Sequence, residues 1–293
     1  LRHPRLSFPL AVIKKYGDDQ AGYQAALMAY YGFLSLFPLL LVLSTVVKVF
    51  VSSDSELRRT IIDGATQYFP LVGADLEKSV HGMAGTGVAI AIGLLFTFYG
   101  ARGVADVFRS VVNHVWEVPY VRRIGFPWSL LRSIRMIVVG GAGLLAAPLI
   151  SGYAAAAGHG PLFWFGSVAI TLIILFGVFL YLIHTSLPSK TTFHNMWPSS
   201  LMAAVGLQIL QSLGVVLVAR ELKHLDTLYG TFAVVLGLLF WLYLQAQVIV
   251  YALEAGTVRA LKLYPRSGLI EKPARADKEA DALYSRRNQF HDD

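Results

Sequence analysis

Residues 231–253 read TFAVVLGLLFWLYLQAQVIVYAL, an apolar run of 23 residues without a charged side chain. As a helix, a run of this length crosses the ~30 Å hydrocarbon layer of a membrane. The chain is 55% hydrophobic and 15% charged, with a mean hydropathy of +0.57, which is more apolar than soluble domains. We therefore predict an all-α, polytopic membrane bundle of about six transmembrane helices. The other predicted spans are residues 29–51, 83–101, 136–157, 162–183 and 199–219.

The distribution of Lys and Arg predicts the orientation of this bundle. An even number of spans puts both termini on one side, and that side has nineteen of the 25 basic residues, against six on the other. Basic residues collect on the cytoplasmic side of a membrane. The pattern therefore predicts two cytoplasmic termini. It also explains the net charge of +7 without a nucleic-acid partner.

Three segments follow from this topology. Residues 1–20 form a cytoplasmic N-terminal segment, residues 21–266 the membrane domain, and residues 267–293 a charged, apolar-poor tail that we predict to be disordered. Asp18, Asp19 and Gln20 favour a helix start before a helix-forming run that begins at Ala21. Residues 52–80 have apolar side chains at helical spacing but are too polar to cross, so amphipathic interfacial helices are expected there.

A charged stripe lies on the helix that leaves the second span. At about 100° per residue its side chains fall within roughly 80° of arc. In one interpretation the stripe faces water at the inner membrane surface, with charges paired one turn apart. In the other it lines a polar cavity, in which Asp106 orients Arg102 and Arg109 toward an anionic headgroup or carboxylate. The stripe consists of Arg102, Asp106, Arg109, Asn113 and Glu117.

A second stripe lies at the end of the last span. Gln247, Tyr251 and Glu254 share one helix face with Tyr243. The Glu254 carboxylate either reaches the headgroup region or pairs with an arginine of the first stripe. Such an inter-helix ion pair could open and close a path. These residues complete the set of candidate cavity residues.

Two prolines are candidates for kinks that take part in gating. Pro38 in the first span removes a backbone hydrogen bond, and Pro148 lies in a Gly- and Ala-rich part of the third span. The sequence has no cysteine, His-Glu-x-x-His motif, phosphate loop or nucleophile elbow. We therefore expect no catalytic residue, metal site or cofactor, and a protein that is not an enzyme.

Three stretches resemble the YihY/BrkB family of bacterial inner-membrane proteins, which has an older ribonuclease BN label. They are residues 26–41 (ALMAYYGFLSLFPLLL), 99–119 (YGARGVADVFRSVVNHVWEVP) and 229–266 (YGTFAVVLGLLFWLYLQAQVIVYALEAGTVRALKLYPR). The resemblance implies a six-span protein of the bacterial inner membrane with cytoplasmic termini. The charge count independently predicts the same topology.

Three functions are compatible with these patterns. The first is a transporter or a protein that handles lipids or amphiphiles, with a charged cavity open to the cytoplasmic side and an anionic lipid or small molecule as substrate. The second is a non-catalytic scaffold or envelope-assembly partner. The third is an enzyme, as the ribonuclease label of the family would imply. Membrane lipids are expected partners, and an oligomer is compatible with the sequence.

Overall fold

The computed structural model describes residues 4–50, 87–156, 161–188, 192–266 and 274–288. Every regular element within these ranges is a helix. The predicted interfacial helices of residues 52–80 lie outside them. The helices are α1 (Pro4–Asp18), α2 (Ala21–Phe50), α3 (Gly87–Val115), a short 3-10 helix (Tyr120–Arg122), α4 (Trp128–Ala156), α5 (Pro161–Ser186), α6 (Phe193–Ala260) and α7 (Arg275–Arg287).

A tight turn separates the first two helices. Gln20 has a φ of 51°, and its backbone N–H donates to the Gly17 carbonyl oxygen at 3.0 Å, which ends α1 in the left-handed conformation typical of a helix C-terminus. Helix α2 then begins at Ala21, where the sequence predicts a start. The described part of the N-terminal segment is therefore a helix, and its Ala11 and Val12 pack against Ala255 and Val258 of α6.

Helices α2 and α3 approach each other closely because glycine lies at their contact. A Cβ atom at Gly100 would lie 2.7 Å from the Cα atom of Ser35, which is too close for any side chain. Helix α3 is continuous across the predicted end of the second span. The charged stripe is therefore a direct extension of the helix that contacts α2.

The 68-residue helical run α6 folds back on itself. A Cβ atom at Gly214 would lie 2.0 Å from the Trp241 ring, and one at Gly256 would lie 1.7 Å from Ser199 Oγ. Residues near the two ends of the run thus touch, and so do residues nearer its middle. The two halves therefore pack antiparallel, in agreement with two separate predicted spans that cross in opposite directions.

Two described segments are long and apolar enough to cross a membrane, namely Phe165–Ser186 and Val235–Ala260. Large apolar side chains point outward from them, with Phe165, Ile173 and Phe240 between 62% and 69% exposed. Outward apolar side chains on long helices fit lipid contact rather than water. The structure thus has the helical character that the sequence predicts, while the number of spans stays a prediction.

The C-terminal tail differs from the predicted disorder, because Arg275–Arg287 form helix α7. Ala276, Asp277 and Ala280 are buried, and the Asp277 carboxylate accepts a hydrogen bond from the Ala274 backbone N–H at 2.9 Å. Small residues one turn apart give α7 a face that fits closely against its neighbours. Composition alone predicted disorder because it does not register this spacing.

Candidate functional site

A buried lysine lies at the centre of the site. Ala11 and Lys15 are one turn apart on α1 and both are fully buried, so Lys15 lies on the face that α1 turns toward the bundle. Its ammonium group contacts the Asp19 carboxylate, lies 2.8 Å from Glu117 Oε1 and lies 3.3 Å from Glu254 Oε2. A buried charge is very costly unless it is paired, and Lys15 has three anionic partners.

The end of α3 places Glu117 against Lys15. Glu117 has a φ of 54°, its backbone N–H donates to the His114 carbonyl oxygen at 3.1 Å, and the Val118 N–H donates to the Asn113 carbonyl oxygen at 2.9 Å. These two bonds form the Schellman motif that commonly ends helices, in which glycine usually has the left-handed conformation. A glutamate there costs about 1 kcal/mol. Its buried carboxylate contacts compensate for this strain.

Helix α7 supplies the second cation. Arg287 Nη1 lies 2.7 Å from Asp19 Oδ1 and 3.1 Å from Glu117 Oε2. We refer to Lys15, Asp19, Glu117, Glu254 and Arg287 as the Lys15 cluster. It contains three carboxylates and two cations, and it joins α1, the end of α3, the end of α6 and α7.

Burial and the neighbouring charges shift the pKa values in this region. Burial alone would lower the pKa of Lys15, but Glu254, Asp19 and Glu117 outweigh it and raise that pKa well above its usual value. Burial raises the pKa of Glu117, against the opposing effect of Lys15. Burial and the nearby Arg287 lower the pKa of His114 to about 4, so that its imidazole is neutral at pH 7.

A second group of ion pairs connects α1, Arg266 and the first turn of α7. Arg266 Nη1 lies 2.9 Å from Asp18 Oδ2, Arg266 Nε lies 3.2 Å from Asp277 Oδ1, and Lys14 Nζ lies 2.8 Å from the same Asp277 oxygen. We refer to Lys14, Asp18, Arg266 and Asp277 as the outer ion-pair group. Together with Arg287, this group docks the C-terminal helix onto the N-terminal one.

The first stripe divides into two parts. Asp106 pairs with both arginines, which is compatible with either interpretation of the stripe, at 3.4 Å from Arg102 Nε and 3.1 Å from Arg109 Nη2. Arg109 Nη1 also donates to the Ser129 carbonyl oxygen at 2.7 Å, which connects α3 to α4. Arg102 and Asp106 are partly exposed, whereas Asn113 and Glu117 are buried. The stripe thus runs from an accessible edge into the protein.

Asn113 connects α3 to the end of α5. Its side-chain amide donates to the Ser186 carbonyl oxygen at 3.1 Å and to the Arg109 carbonyl oxygen at 2.7 Å. Asn113 therefore connects two helices and is not paired with a cation of the Lys15 cluster.

The second stripe faces α1 instead of the first stripe. The Tyr16 hydroxyl donates to Gln247 Oε1, and Gln247 donates to the Tyr243 hydroxyl. The Tyr16 and Tyr251 rings stack with centroids 4.1 Å apart. The predicted partner of Glu254 was wrong, because in the described structure Glu254 pairs with Lys15 rather than with an arginine of the first stripe. Lys15 of α1 supplies the cation that joins Glu117, at the end of the first stripe, to Glu254 in the second.

The predicted kinks fall within continuous helices. Pro38 lies inside α2 and Pro148 inside α4, so neither proline ends a helix. Their part in gating stays a prediction. Lys15, Asp19 and Arg287 were not among the predicted site residues. The signal for Lys15 was its position one turn after Ala11, which puts a charge on an otherwise apolar face.

The described structure is that of a helical membrane protein: long apolar helices surround a charged cluster buried where several helix ends meet. The family model for the virulence factor BrkB matches residues 12–276. The chain therefore belongs to the BrkB family, as the three motifs predicted.

Similar proteins include UPF0761 membrane proteins from several bacteria. A UPF0761 membrane protein of Chlorobium phaeobacteroides is 26% identical over 259 residues, which cover 85% of this chain and 56% of that relative. One from Vibrio parahaemolyticus is 22% identical over 250 residues, with 83% and 79% covered. The chain thus spans little more than half of the Chlorobium relative. No solved structure matches this chain.

Proposed function

We propose that this protein is a six-span protein of the bacterial inner membrane that moves an anionic small molecule or amphiphile, with the Lys15 cluster closing its path at the cytoplasmic end. The observation that carries the proposal is the cluster itself. Charges buried at the ends of membrane helices are costly and often mark a pathway. An ion-pair closure joins four segments through contacts that can be broken and remade.

The contact between the two chain ends supports this topology. Helix α1 precedes the first predicted span and α7 follows the last one, yet the Lys14 ammonium lies 2.8 Å from the Asp277 carboxylate. This contact favours two ends on the same side of the membrane, which an even number of crossings would produce. The excess of basic residues near the termini favours the cytoplasmic side.

The native chain is well suited to a topology test because it has no cysteine. A single cysteine at Ser285, which is exposed on α7, should react with a membrane-impermeant maleimide in inside-out vesicles and not in intact spheroplasts. Labelling in intact spheroplasts would overturn the cytoplasmic orientation.

The partly exposed arginines of the first stripe would bind the substrate. Arg102 and Arg109 lie on either side of Asp106, and the two guanidinium groups have donors beyond those that this carboxylate uses. Guanidinium groups suit phosphate and carboxylate ligands. Arg102 and Arg109 would therefore bind the substrate without changing it chemically.

Flux in proteoliposomes tests the proposal. With fluorescent phosphatidylglycerol as the amphiphile and a small carboxylate as the second probe, Asp106→Asn, Arg109→Ala and Glu254→Gln should each lower the rate by roughly tenfold. Arg275→Ala, on the exposed face of α7, is the control and should leave the rate unchanged. Unchanged rates in all three variants at equal reconstitution would reject the proposal. A wild-type protein that moves neither probe but co-purifies with a stoichiometric partner would instead favour a scaffold.

A further inference from the structure

The charges of the Lys15 cluster do not balance. Asp19, Glu117 and Glu254 contribute three negative charges, while Lys15 and Arg287 contribute two positive ones. All three carboxylates are buried, and the Lys15 and Glu254 side chains have no exposed surface. An uncompensated charge in such a place is costly, and buried groups usually avoid it by taking up or losing a proton.

Glu254 is the least well paired of the three carboxylates. Among the described residues, neither of its oxygens has a hydrogen-bond partner. The Lys15 ammonium lies 3.3 Å away but is shared with Asp19 and Glu117, and Glu117 lies closer at 2.8 Å. Arg287 contacts Asp19 and Glu117 instead. A proton would therefore relieve more unfavourable charge on Glu254 than on the other two carboxylates.

We propose that the Lys15 cluster binds one proton, with Glu254 as its main acceptor, and that Arg287 of α7 competes with further protons for the same carboxylates. With α7 docked and one proton bound, two carboxylates balance two cations. When α7 leaves, Arg287 is lost and one more carboxylate lacks a cation. Release of α7 is therefore coupled to the uptake of a second proton, and acid favours the released state.

The charged and titratable groups around the Lys15 cluster fit this assignment. From α1 and the turn after it come Lys15, Tyr16 and Asp19, from the end of α3 come His114 and Glu117, and from α7 come Tyr284 and Arg287. Arg123, in the segment after α3, adds a positive charge near Glu117 and Arg287, but its described contacts are with the Val118 carbonyl oxygen, to which its Nε donates at 3.2 Å, and with the Tyr120 ring. His114 Nε2 lies 3.7 Å from Asp19 Oδ1, but burial keeps the His114 pKa at about 4 and the ring neutral. It therefore supplies no third cation at neutral pH.

This inference deepens the proposed function, since it names the ion that the closing cluster would bind. Its test measures protonation alone, so it can fail while the flux assay succeeds, and the reverse. Full-length protein in lipid nanodiscs should show an infrared C=O stretching band of a protonated carboxyl group at pH 7. Glu254→Gln should remove that band, and Glu279→Gln, which changes a partly exposed glutamate paired with Arg275, should keep it.

The competition with Arg287 gives a second measurement. Arg287→Ala should roughly double the protonated-carboxyl band and should take up about one more proton per chain in a pH-stat titration at pH 7. Arg286→Ala, its exposed neighbour, should match the wild type. The Arg287→Ala measurement still tests the inference if Glu254→Gln does not fold. A wild-type protein without the band, a band unchanged in Glu254→Gln, or no extra proton uptake in Arg287→Ala would each overturn the inference.

Discussion

Removal of the central cation should destabilise the protein far more than removal of one of its anions. In Lys15→Met, a side chain of similar volume keeps the packing but leaves three buried carboxylates with Arg287 alone. In Glu254→Gln, two carboxylates and two cations remain and the cluster is neutral. With one proton bound in the wild type, Glu254→Gln therefore keeps the cluster neutral, whereas Lys15→Met leaves it with a net negative charge.

The distances in the cluster give the magnitude. At an effective dielectric constant of about 20, the Lys15 contacts at 2.8 Å and 3.3 Å correspond to roughly 6 and 5 kcal/mol of gross Coulomb attraction. The desolvation of each ion and the repulsion among the carboxylates offset most of this. Loss of one partner from a buried ion pair costs about 3 to 5 kcal/mol net, which we expect for Lys15→Met. Glu254→Gln should cost less than about 1 kcal/mol, because the amide has the shape of the neutral acid.

Unfolding by sodium dodecyl sulfate in mixed micelles, followed by tryptophan fluorescence, measures both free energies. Arg275→Ala, on the exposed face of α7, is the control and should change the free energy of unfolding by less than about 0.5 kcal/mol. The reasoning is refuted if Glu254→Gln destabilises the protein as much as Lys15→Met. It is also refuted if neither variant departs from the control.

Three further predictions concern single positions. Lys262 is exposed and ends α6 with a φ of 55°. Lys262→Gly should raise the free energy of unfolding by about 1 kcal/mol, because glycine adopts this backbone conformation without strain. A decrease in the free energy of unfolding would contradict this reasoning. Gly256→Ala should lower the free energy of unfolding by about 1 to 3 kcal/mol, because the added Cβ would lie 1.7 Å from Ser199 Oγ. Gly17→Ala is the control, since Gly17 has open space around it, and it should leave the free energy of unfolding unchanged or raise it. His114 has a folded pKa of about 4 against 6.5 unfolded, so the unfolded chain binds more protons and stability falls as the pH drops from 6.5 to 4. His114→Gln should recover up to about 3 kcal/mol at pH 4, and an unchanged pH profile would exclude this role.

The sequence predicted the helices more fully than it predicted the site. Apolar runs and the start at Ala21 were readable because they depend on residues close together in the chain. Glu117 and Glu254 were identified as candidates because a charge beside an apolar run is conspicuous. Their partner was not identified, since Lys15 lies 102 residues from Glu117 and only the fold brings α1 to the ends of α3 and α6.

Helix α7 shows a second limit of sequence interpretation. Residues 267–293 are polar and charged, so composition favours disorder. Their charges are nevertheless complementary to those of α1 and the turn after it, where Lys14 pairs with Asp277 and Asp19 pairs with Arg287. Complementarity between segments more than 240 residues apart leaves no local pattern. It becomes visible only when the fold brings the chain ends together.

A buried ionic cluster is not needed to hold helices together. Apolar side chains of similar volume would join α1, α3, α6 and α7 at least as firmly, because the desolvation of buried ions cancels much of their attraction. An apolar junction, however, responds to neither pH nor the position of a single helix. The Lys15 cluster responds to both, since one proton or the departure of Arg287 changes its net charge. A junction with these properties suits a protein that alternates between two states, and this is the physical reason to look for movement of α7 rather than for a rigid scaffold.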